Sequence, residues 1–278
     1  MAEPYLANNE KGPSRIRIHH LQQAKERGEK FTMLTAYDVM MAEIFDQAGV
    51  EVLLVGDSAA NTVLGYDSTL PITVDEMIMF SKAVSNGAQR ALVVVDLPFG
   101  SYEQSPQQAV ATAVRLLKEG SAQAVKMEGG AGYAEHVRAM VAAGVPVIGH
   151  VGFTPQSEHA LGGFRVQGRG EAAEAMKHDA LALQDAGAFC ILMEMVPSDV
   201  AAGIDEALRV PTIGIGAGNG TTGQVLVWQD MLGLGAHRTP RFVKQYAALR
   251  SVISEAVASY REDVATGQFP SEQYEFKA

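Results

Sequence analysis

Two kinds of segment alternate along the chain. Short apolar runs rich in Val, Ile and Leu recur, and longer segments with an apolar residue at every third or fourth position separate them. Such runs are typical of buried strands, and a period near 3.6 is typical of amphipathic helices, so the pattern predicts repeated strand–helix units and a parallel sheet. The eight predicted strands are Phe31–Thr35, Val50–Gly56, Ala91–Val95, Ala124–Met127, Pro146–Gly149, Phe189–Met193, Thr212–Ile215 and Val225–Met231.

The segments between these runs predict helices. The clearest are Thr73–Asn86, Ser105–Glu119, Tyr133–Ala143 and Gly170–Ala186, and a glycine follows each of them at or near its end. Eight units fit a single (β/α)₈ TIM barrel, which typically needs about 250 residues. We expect an N-terminal helix over 15–27 before the barrel and a C-terminal helical extension over 239–266 after it. An open, doubly wound sheet is the alternative.

The domain organisation follows from the same pattern. Residues 1–14 are polar and contain two prolines, which predicts a flexible N-terminal arm, residues 15–266 form the barrel domain, and 267–278 form a C-terminal tail. Within 15–266, no Ser-, Gly- or Pro-rich linker marks a second domain.

Composition narrows the class of partner. The 278 residues include 22 Lys and Arg against 32 Asp and Glu, a formal net charge of −10, which disfavours nucleic acid and anionic membranes as partners. No apolar window reaches the roughly 18 residues that a spanning helix needs. The single cysteine, Cys190, lies in an apolar run, so we expect a buried, reduced thiol and a cytoplasmic protein.

Polar residues stand where the predicted strands end. Asp57, Asp96, His150 and Glu194 follow four of the strands, and Lys126 and Glu128 end another. In a barrel, catalytic groups lie at the carboxyl ends of strands. One acidic residue there is commonly a helix cap, but five neighbouring strands with polar ends predict a functional site at one mouth.

The two aspartates indicate a metal site. Asp57 and Asp96 end adjacent strands at equivalent positions, and Glu128 lies one strand further, so two or three carboxylates with water would suit Mg²⁺. The alternative is that both aspartates cap helices and are neutralised by Lys126. Lys126 and Glu128 are two residues apart in a strand and therefore project to the same face.

Two further groups have alternative interpretations. Glu194 lies among apolar neighbours that would raise its pKa, as a catalytic base requires, but Pro197 also permits a solvated loop. His150 is either a catalytic residue or a hydrogen-bonded core residue. The glycine-rich run 214–220 lacks the spacing of a dinucleotide fingerprint, and loop 153–169 is either a lid with polar contacts or a surface excursion.

Taken in order, the motifs of residues 35–233 resemble those of the ketopantoate hydroxymethyltransferase (3-methyl-2-oxobutanoate hydroxymethyltransferase) family. The residues that carry the resemblance are Thr35–Asp38, Val55–Ser58, Gly65–Thr69, Asp96–Phe99, Lys126–Gly130, Gly149–Gln156, Gly162–Arg169, Glu194–Pro197 and Ile213–Gly218. The sequence departs from the family pattern at Ala59–Ala60 and at Thr222, and neither position is one of the candidate metal ligands.

The resemblance implies a Mg²⁺-dependent, folate-using enzyme that forms a homo-oligomer, typically a decamer. It implies that Asp57 and Asp96 bind the metal with Glu128 in its sphere. It also implies that Asp57, Ser58, Asp96 and Lys126 bind the 2-oxo acid substrate, and that Glu194 is the proton acceptor.

The implied reaction transfers a hydroxymethyl unit from 5,10-methylenetetrahydrofolate to C3 of 3-methyl-2-oxobutanoate, giving 2-dehydropantoate for pantothenate biosynthesis through a Mg-chelated enolate. A Mg²⁺-dependent lyase acting on 2-oxo acids and a non-catalytic barrel are the rival classes. A nicotinamide-dependent dehydrogenase would need a dinucleotide fingerprint early in the chain.

Overall fold

Eight parallel strands form a closed barrel in chain order, with β1 hydrogen-bonded to both β2 and β8. The computed structural model describes residues 14–236 and 239–277. The strands are β1 (Phe31–Thr35), β2 (Val52–Val55), β3 (Leu92–Asp96), β4 (Ala124–Glu128), β5 (Val147–Gly152), β6 (Cys190–Glu194), β7 (Thr212–Ile215) and β8 (Gly223–Leu226).

Helices occupy most of the connections and the C-terminal region. They are α1 (Ile18–Glu26), α2 (Val39–Gln47), α3 (Ala59–Thr62), α4 (Val74–Gly87), α5 (Pro106–Gly120), α6 (Ala134–Ala142), α7 (Glu158–Leu161), α8 (Ala172–Asp185), α9 (Ser198–Ala207), α10 (Trp228–Met231) and α11 (Leu249–Thr266). Single-turn 3₁₀ helices lie at Ala131–Tyr133, Pro155–Ser157 and Glu272–Tyr274.

The barrel interior explains why the strands are apolar on both faces. Side chains that alternate along the strands, such as Val94, Ala124 and Ile148, form one buried cluster inside the barrel, and Leu21 of α1 belongs to it. The other face of each strand packs under the surrounding helices, so strands of a barrel read as continuous apolar runs. Cys190 is a buried free thiol in this cluster, as predicted.

Local sequence sets several helix starts. Thr73 and Glu76 form a reciprocal capping box at the start of α4, and Ser105 caps α5 with Pro106 as its first residue. At the end of α4, Gly87 has no room for a side chain, because a Cβ there would lie 2.4 Å from the Val39 carbonyl oxygen of α2. Close packing of neighbouring helices therefore depends on that glycine.

The predicted fold class, a single TIM barrel with helices before and after it, is confirmed. The last strand is shorter and earlier than predicted: β8 spans Gly223–Leu226, and Trp228–Met231 is a helical turn. Pairing with Phe31 and Ile213 starts at Gly223, whose lack of a side chain hid it from an apolar-run search. α11 begins at Leu249 rather than near Thr239, because the segment before it bonds back to the turn after α10: the N–H of Tyr246 donates to the Met231 carbonyl and that of Leu249 to the Leu232 carbonyl.

The chain divides into two compact units, Met1–Val227 and Trp228–Ala278. The first contains the whole barrel, and the second contains α10 and α11. Of the predicted N-terminal arm, 1–14, all but Ser14 lies outside the described residues. Within the described part of the chain, no helix combines the length and apolar character needed to cross a membrane.

Candidate active site

A layer of polar side chains crosses the barrel interior at the carboxyl ends of the strands. Alternation by two along each strand produces it, because the inward positions continue from Val94 to Asp96, from Ala124 to Lys126 and Glu128, and from Leu192 to Glu194. The register then places Asp96 beside Lys126, Glu128 beside His150 and Gly152 beside Glu194. The apolar core below thus leads directly into a charged layer at the mouth.

Asp57 and Asp96 join the ends of β2 and β3. The backbone N–H of Asp57 donates to Asp96 Oδ2 at 3.0 Å, and both side chains are buried. Burial raises the pKa of Asp57 to about 6, with Glu128 adding to the effect, and burial raises the pKa of Asp96 to about 7 despite the opposing charge of Lys126. Negative charge at this corner is therefore costly without a cation.

Lys126 supplies positive charge to the same corner. Its Nζ lies 3.1 Å from Asp96 Oδ1 and 3.1 Å from His150 Nδ1. Burial acts to lower the pKa of Lys126, but Asp96, Glu128 and Asp57 together outweigh it and raise that pKa above its usual value. Lys126 is therefore a protonated ammonium within a group of carboxylates.

That ammonium decides which nitrogen of His150 carries the proton. Burial and then the charge of Lys126 hold the pKa of His150 well below its usual value, so the ring is neutral. The Lys126 ammonium can only donate a hydrogen bond, so Nδ1 of His150 must accept it and Nε2 of the ring must carry the proton. Nε2 lies 3.5 Å from Glu194 Oε2, and the N–H side of the ring therefore faces that carboxylate.

Glu194 is the most accessible carboxylate of the layer. Its side chain is 16% exposed, whereas those of Asp96 and Glu128 are 3% and 2% exposed. Burial raises the pKa of Glu194 to about 8, and Glu128 adds to the effect. The next residue, Met195, has a left-handed backbone with φ of 50°, a conformation that is uncommon outside glycine and that concentrates at functional sites. A carboxyl group that a ligand can reach, with a pKa near neutrality, suits proton transfer.

The donor set fits a hard cation. Glu128 Oε1 is buried and accepts no hydrogen bond, and Asp96 Oδ1 has the Lys126 ammonium at 3.1 Å as its partner. Carboxylate oxygens with water are what Mg²⁺ prefers. Among residues 14–236 and 239–277, no three His, Cys, Asp or Glu side chains are arranged to share one ion directly. Two direct carboxylates, Asp57 and Asp96, with Glu128 acting through water, fit both observations.

The structure brings six of the seven sequence-derived candidates into one layer: Asp57, Asp96, Lys126, Glu128, His150 and Glu194. Ser58, the seventh, lies at the end of β2, where its Oγ is 2.8 Å from the Tyr37 hydroxyl. Thr222, one of the departures from the family pattern, bonds to Asp205 and Thr212 at the opposite end of the barrel from this layer.

Two further residues contact the layer, of which the sequence indicated Gln156 only as a polar residue of the possible lid in loop 153–169 and gave Tyr37 no separate role. Tyr37 is buried beside Ser58, and Gln156 bonds to Asp57 and Glu128. Both lie within the motifs of the family resemblance, which was the available signal. In loop 153–169, Thr154 and Gln156 are buried whereas Arg165 and Arg169 are exposed. Both ends of the loop reach the site, because the backbone N–H of Gln167 donates to the Met195 carbonyl at 2.9 Å.

A cavity of about 220 Å³ opens beside His150. Its walls include the backbone of Gly129, Gly130 and Gly152 and the carboxylate of Asp179.

Comparison with known proteins identifies the family. A ketopantoate hydroxymethyltransferase family model matches residues 15–272. The chain belongs to the ketopantoate hydroxymethyltransferase family. It is 64% identical over 275 residues to the 3-methyl-2-oxobutanoate hydroxymethyltransferase of Paenarthrobacter aurescens (strain TC1), covering 99% of this chain and 91% of that protein. It is 58% identical to the enzyme of the same name from Leifsonia xyli subsp. xyli (strain CTCB07), covering 95% of each chain.

The expected resemblance and the expected enzyme class, a hydroxymethyltransferase of pantothenate biosynthesis, are thus confirmed. Solved structures agree on the fold. A phosphonopyruvate hydrolase complex with oxalate and Mg²⁺ superposes with a TM-score of 0.61 at 14% identity, covering 93% of each chain. A 2,3-dimethylmalate lyase of the PEP mutase/isocitrate lyase superfamily gives 0.60 at 17% identity, covering 93% of this chain and 91% of that one. These similarities show a shared barrel.

Proposed function

We propose that this hydroxymethyltransferase moves a one-carbon unit from 5,10-methylenetetrahydrofolate to C3 of 3-methyl-2-oxobutanoate, and that Glu194 starts the reaction by removing the C3 proton. The observation that carries the proposal is the reachable Glu194 carboxyl, with its pKa near 8, in one layer with Asp57, Asp96 and Lys126. The name of the close relatives supplies the substrate and the group transferred.

Asp57 and Asp96 would hold a Mg²⁺ ion, with Glu128 in its outer sphere. Bound there, the ion would draw electrons from the carboxylate and keto groups of the 2-oxo acid and make the C3 proton more acidic. The raised pKa values of these buried carboxylates support the proposal, because a cation would relieve the cost of ionising them.

The side chains of the chain itself have separate tasks. Ser58 and Lys126 bind the oxygens of the 2-oxo acid, and the ammonium of Lys126 offsets the negative charge that develops on the keto oxygen when the proton leaves. The neutral His150 turns its Nε2–H towards Glu194 Oε2, which lies 3.5 Å away, so a donor faces that carboxylate on the side of β5. Water adds to the methylene carbon of the folate and its two C–N bonds break, which releases formaldehyde and leaves tetrahydrofolate. The enolate attacks that carbon, and the resulting alkoxide takes a proton to become the hydroxymethyl group.

One assay tests the reaction. The protein is incubated with 3-methyl-2-oxobutanoate and 5,10-methylenetetrahydrofolate, with and without Mg²⁺, and 2-dehydropantoate is measured by chromatography. We expect product only when all three are present. Consumption of the 2-oxo acid without folate would indicate the rival lyase, and no turnover in any mixture would contradict the proposal.

The cellular setting belongs to the same proposal. We expect a cytoplasmic homo-oligomer, with the decamer of the family resemblance as the specific form and without nucleic acid or membrane partners. The free, buried Cys190 and the net charge of −10 support this setting. Four half-exposed apolar side chains on α11, at Ile253, Val257, Tyr260 and Val264, support self-association.

A further inference from the structure

Gln156 connects parts of the site that come from four different strands. It lies in the 3₁₀ turn Pro155–Ser157 that follows β5, and it is 6% exposed. Its backbone N–H donates to Glu128 Oε2 at 3.0 Å, and its side-chain Nε2 donates to Asp57 Oδ2 at 2.9 Å and to the Leu97 carbonyl at 2.9 Å. One residue thus holds an oxygen of each of two carboxylates that repel each other.

The orientation of the amide is determined by its neighbours. The Leu97 carbonyl is an acceptor only, and so is the Asp57 carboxylate when it is ionised. The donating Nε2 of Gln156 must therefore face both of them. On the other side of the amide, the Tyr102 hydroxyl donates to Gln156 Oε1 at 2.7 Å. Tyr102 is buried and also approaches the Glu128 carbonyl at 3.4 Å, which leaves the amide a single satisfied arrangement.

A neutral donor suits this position for an electrostatic reason. A Lys or Arg would compete with a metal ion for Asp57, whereas an amide donates a hydrogen bond without bringing a charge. The bond occupies Oδ2 of Asp57, and Gln156 leaves Oε1 of Glu128 without a hydrogen bond. The two carboxylates are thereby fixed in place while they retain oxygens that can face an ion or its water.

We propose that Gln156 is a positioning residue of the metal centre, which holds Asp57 and Glu128 in the arrangement that binds the divalent ion and is itself held by Tyr102. The inference rests on the proposed function, because it assumes that these carboxylates bind the ion. Outer-sphere partners of metal ligands typically contribute about 10- to 100-fold to metal affinity.

The test measures metal binding without turnover. Gln156→Met keeps the length and volume of the side chain, removes its hydrogen bonds to Asp57, Leu97 and Tyr102, and leaves the backbone N–H bond to Glu128 in place. Titration with Mn²⁺, followed by electron paramagnetic resonance of the free ion and by calorimetry, should show a dissociation constant about 10- to 100-fold higher than that of the wild type. Tyr102→Phe keeps the ring and should raise it roughly three- to tenfold, as expected for loss of one neutral hydrogen bond.

A matched control separates positioning from stability. Gln184 is also 6% exposed and its Oε1 accepts from the backbone N–H groups of Arg209 and Val210, at the other end of the barrel. Gln184→Met should therefore lower the melting temperature and leave Mn²⁺ affinity within about twofold of the wild type.

The outcomes are distinct. Unchanged Mn²⁺ affinity in folded Gln156→Met overturns the proposal and makes Gln156 only an anchor of its loop. If that variant does not fold, Tyr102→Phe decides in the same way. A wild-type protein that binds no Mn²⁺ overturns the proposed metal centre together with this inference, whereas a binding wild type with an unaffected variant overturns the inference alone.

Discussion

Individual side chains in the site depend on one another through protons. Lys126 is protonated because three carboxylates surround it. Burial, together with that charge, lowers the pKa of His150 and keeps the ring neutral, and the contact with the ammonium places its proton on Nε2. Nε2 then faces Glu194, whose pKa is about 8 because of burial and of Glu128. The protonation state of the proposed base is therefore set by residues on β4 and β5, and a change at Lys126 should also alter proton transfer at Glu194.

The first prediction isolates that transfer. In deuterated water with Mg²⁺ and no folate, the wild type should exchange the C3 proton of 3-methyl-2-oxobutanoate, and Glu194→Gln should exchange it at least about 100-fold more slowly, since general base catalysis typically contributes 10²- to 10⁴-fold. In the metal-free protein, Glu194 is protonated below a pH of about 8. Because a general base must be ionised to accept a proton, the exchange rate should rise with pH and level off above the pKa of Glu194. Mg²⁺ should shift this rise in rate to lower pH. Exchange is followed by NMR.

Glu206→Gln provides the control for this measurement, because Glu206 is exposed on α9, outside the polar layer. It should exchange at the wild-type rate. Wild-type exchange in Glu194→Gln would assign the base to another group, of which His150 is the first to examine.

The second prediction concerns the cost of the buried carboxylates. Asp57, Asp96 and Glu128 have pKa values of about 6, 7 and 7, above the ordinary values near 4, so the folded protein binds more protons than the unfolded chain between those limits. Stability of the metal-free protein should therefore be highest at the acidic side of that window and fall as pH rises from about 4 to 7. Asp57→Asn should stabilise the metal-free protein at pH 8 by about 1 to 3 kcal/mol.

Mg²⁺ should act in the opposite direction. At 100 times its dissociation constant, an ion that binds only the folded state adds about 2.7 kcal/mol to the free energy of unfolding. Urea unfolding with and without Mg²⁺ at pH 5 and pH 8 measures both effects. We expect Asp57→Asn to lose the Mg²⁺ effect, and equal Mg²⁺ stabilisation in the variant would remove Asp57 from the metal site.

At the scale of elements, alternation along the strands made the fold and most of the site predictable. The apolar runs predict the strands. The polar residues that follow the inward-facing apolar positions at the strand ends are Asp96, Lys126, Glu128, His150 and Glu194, and this change in character predicts the site. Gln156 was expected only as part of a possible lid with polar contacts and not as a partner of the carboxylates, because it lies in a loop turn where neither periodicity nor a charged side chain marks it. The start of β8 was missed for a related reason, since pairing rather than apolar character defines Gly223 as a strand residue.

The third prediction tests how α2 is fixed to the barrel. Asp46, at the end of α2, is 7% exposed, and its carboxylate accepts hydrogen bonds from the backbone N–H groups of Gln89, Arg90 and Ala91 just before β3. Asp46→Ala leaves three donors without this partner and should lower stability by about 3 kcal/mol. For a chain of this size, the melting temperature should fall by roughly 5 to 10 °C, which calorimetry measures.

Asp75→Ala provides the comparison. The carboxylate of Asp75 is 80% exposed in an ion pair with Arg115, and such exposed pairs contribute little to stability. Both variants should bind Mn²⁺ as the wild type does, because Asp46 lies at the amino ends of the strands, away from the polar layer. A loss of metal affinity in Asp46→Ala would show that the two ends of the barrel are coupled.

At the scale of the whole molecule, the barrel and the C-terminal unit differ in how far they bury their apolar side chains. The barrel buries its apolar strands within itself, whereas α11, in the second unit, has no buried residue. Its apolar residues Ile253, Val257, Tyr260 and Val264 are spaced by four, three and four positions, which places them on one face of the helix. Sequence periodicity alone does not say whether such a face packs within the chain or between chains, and the structure leaves all four side chains about half exposed.

The fourth prediction follows from that face. If a second copy of the chain covers it, the protein should sediment as a multiple of its 29.6 kDa chain, and Val257→Asp should reduce the mass because a carboxylate would have to be buried in the interface. Ser259→Asp adds the same charge two residues on, about 200° around the helix, and should leave the mass unchanged. Analytical ultracentrifugation at several concentrations measures both. A wild-type mass of one chain would refute the homo-oligomer, and an oligomer that survives Val257→Asp would place the interface on another surface.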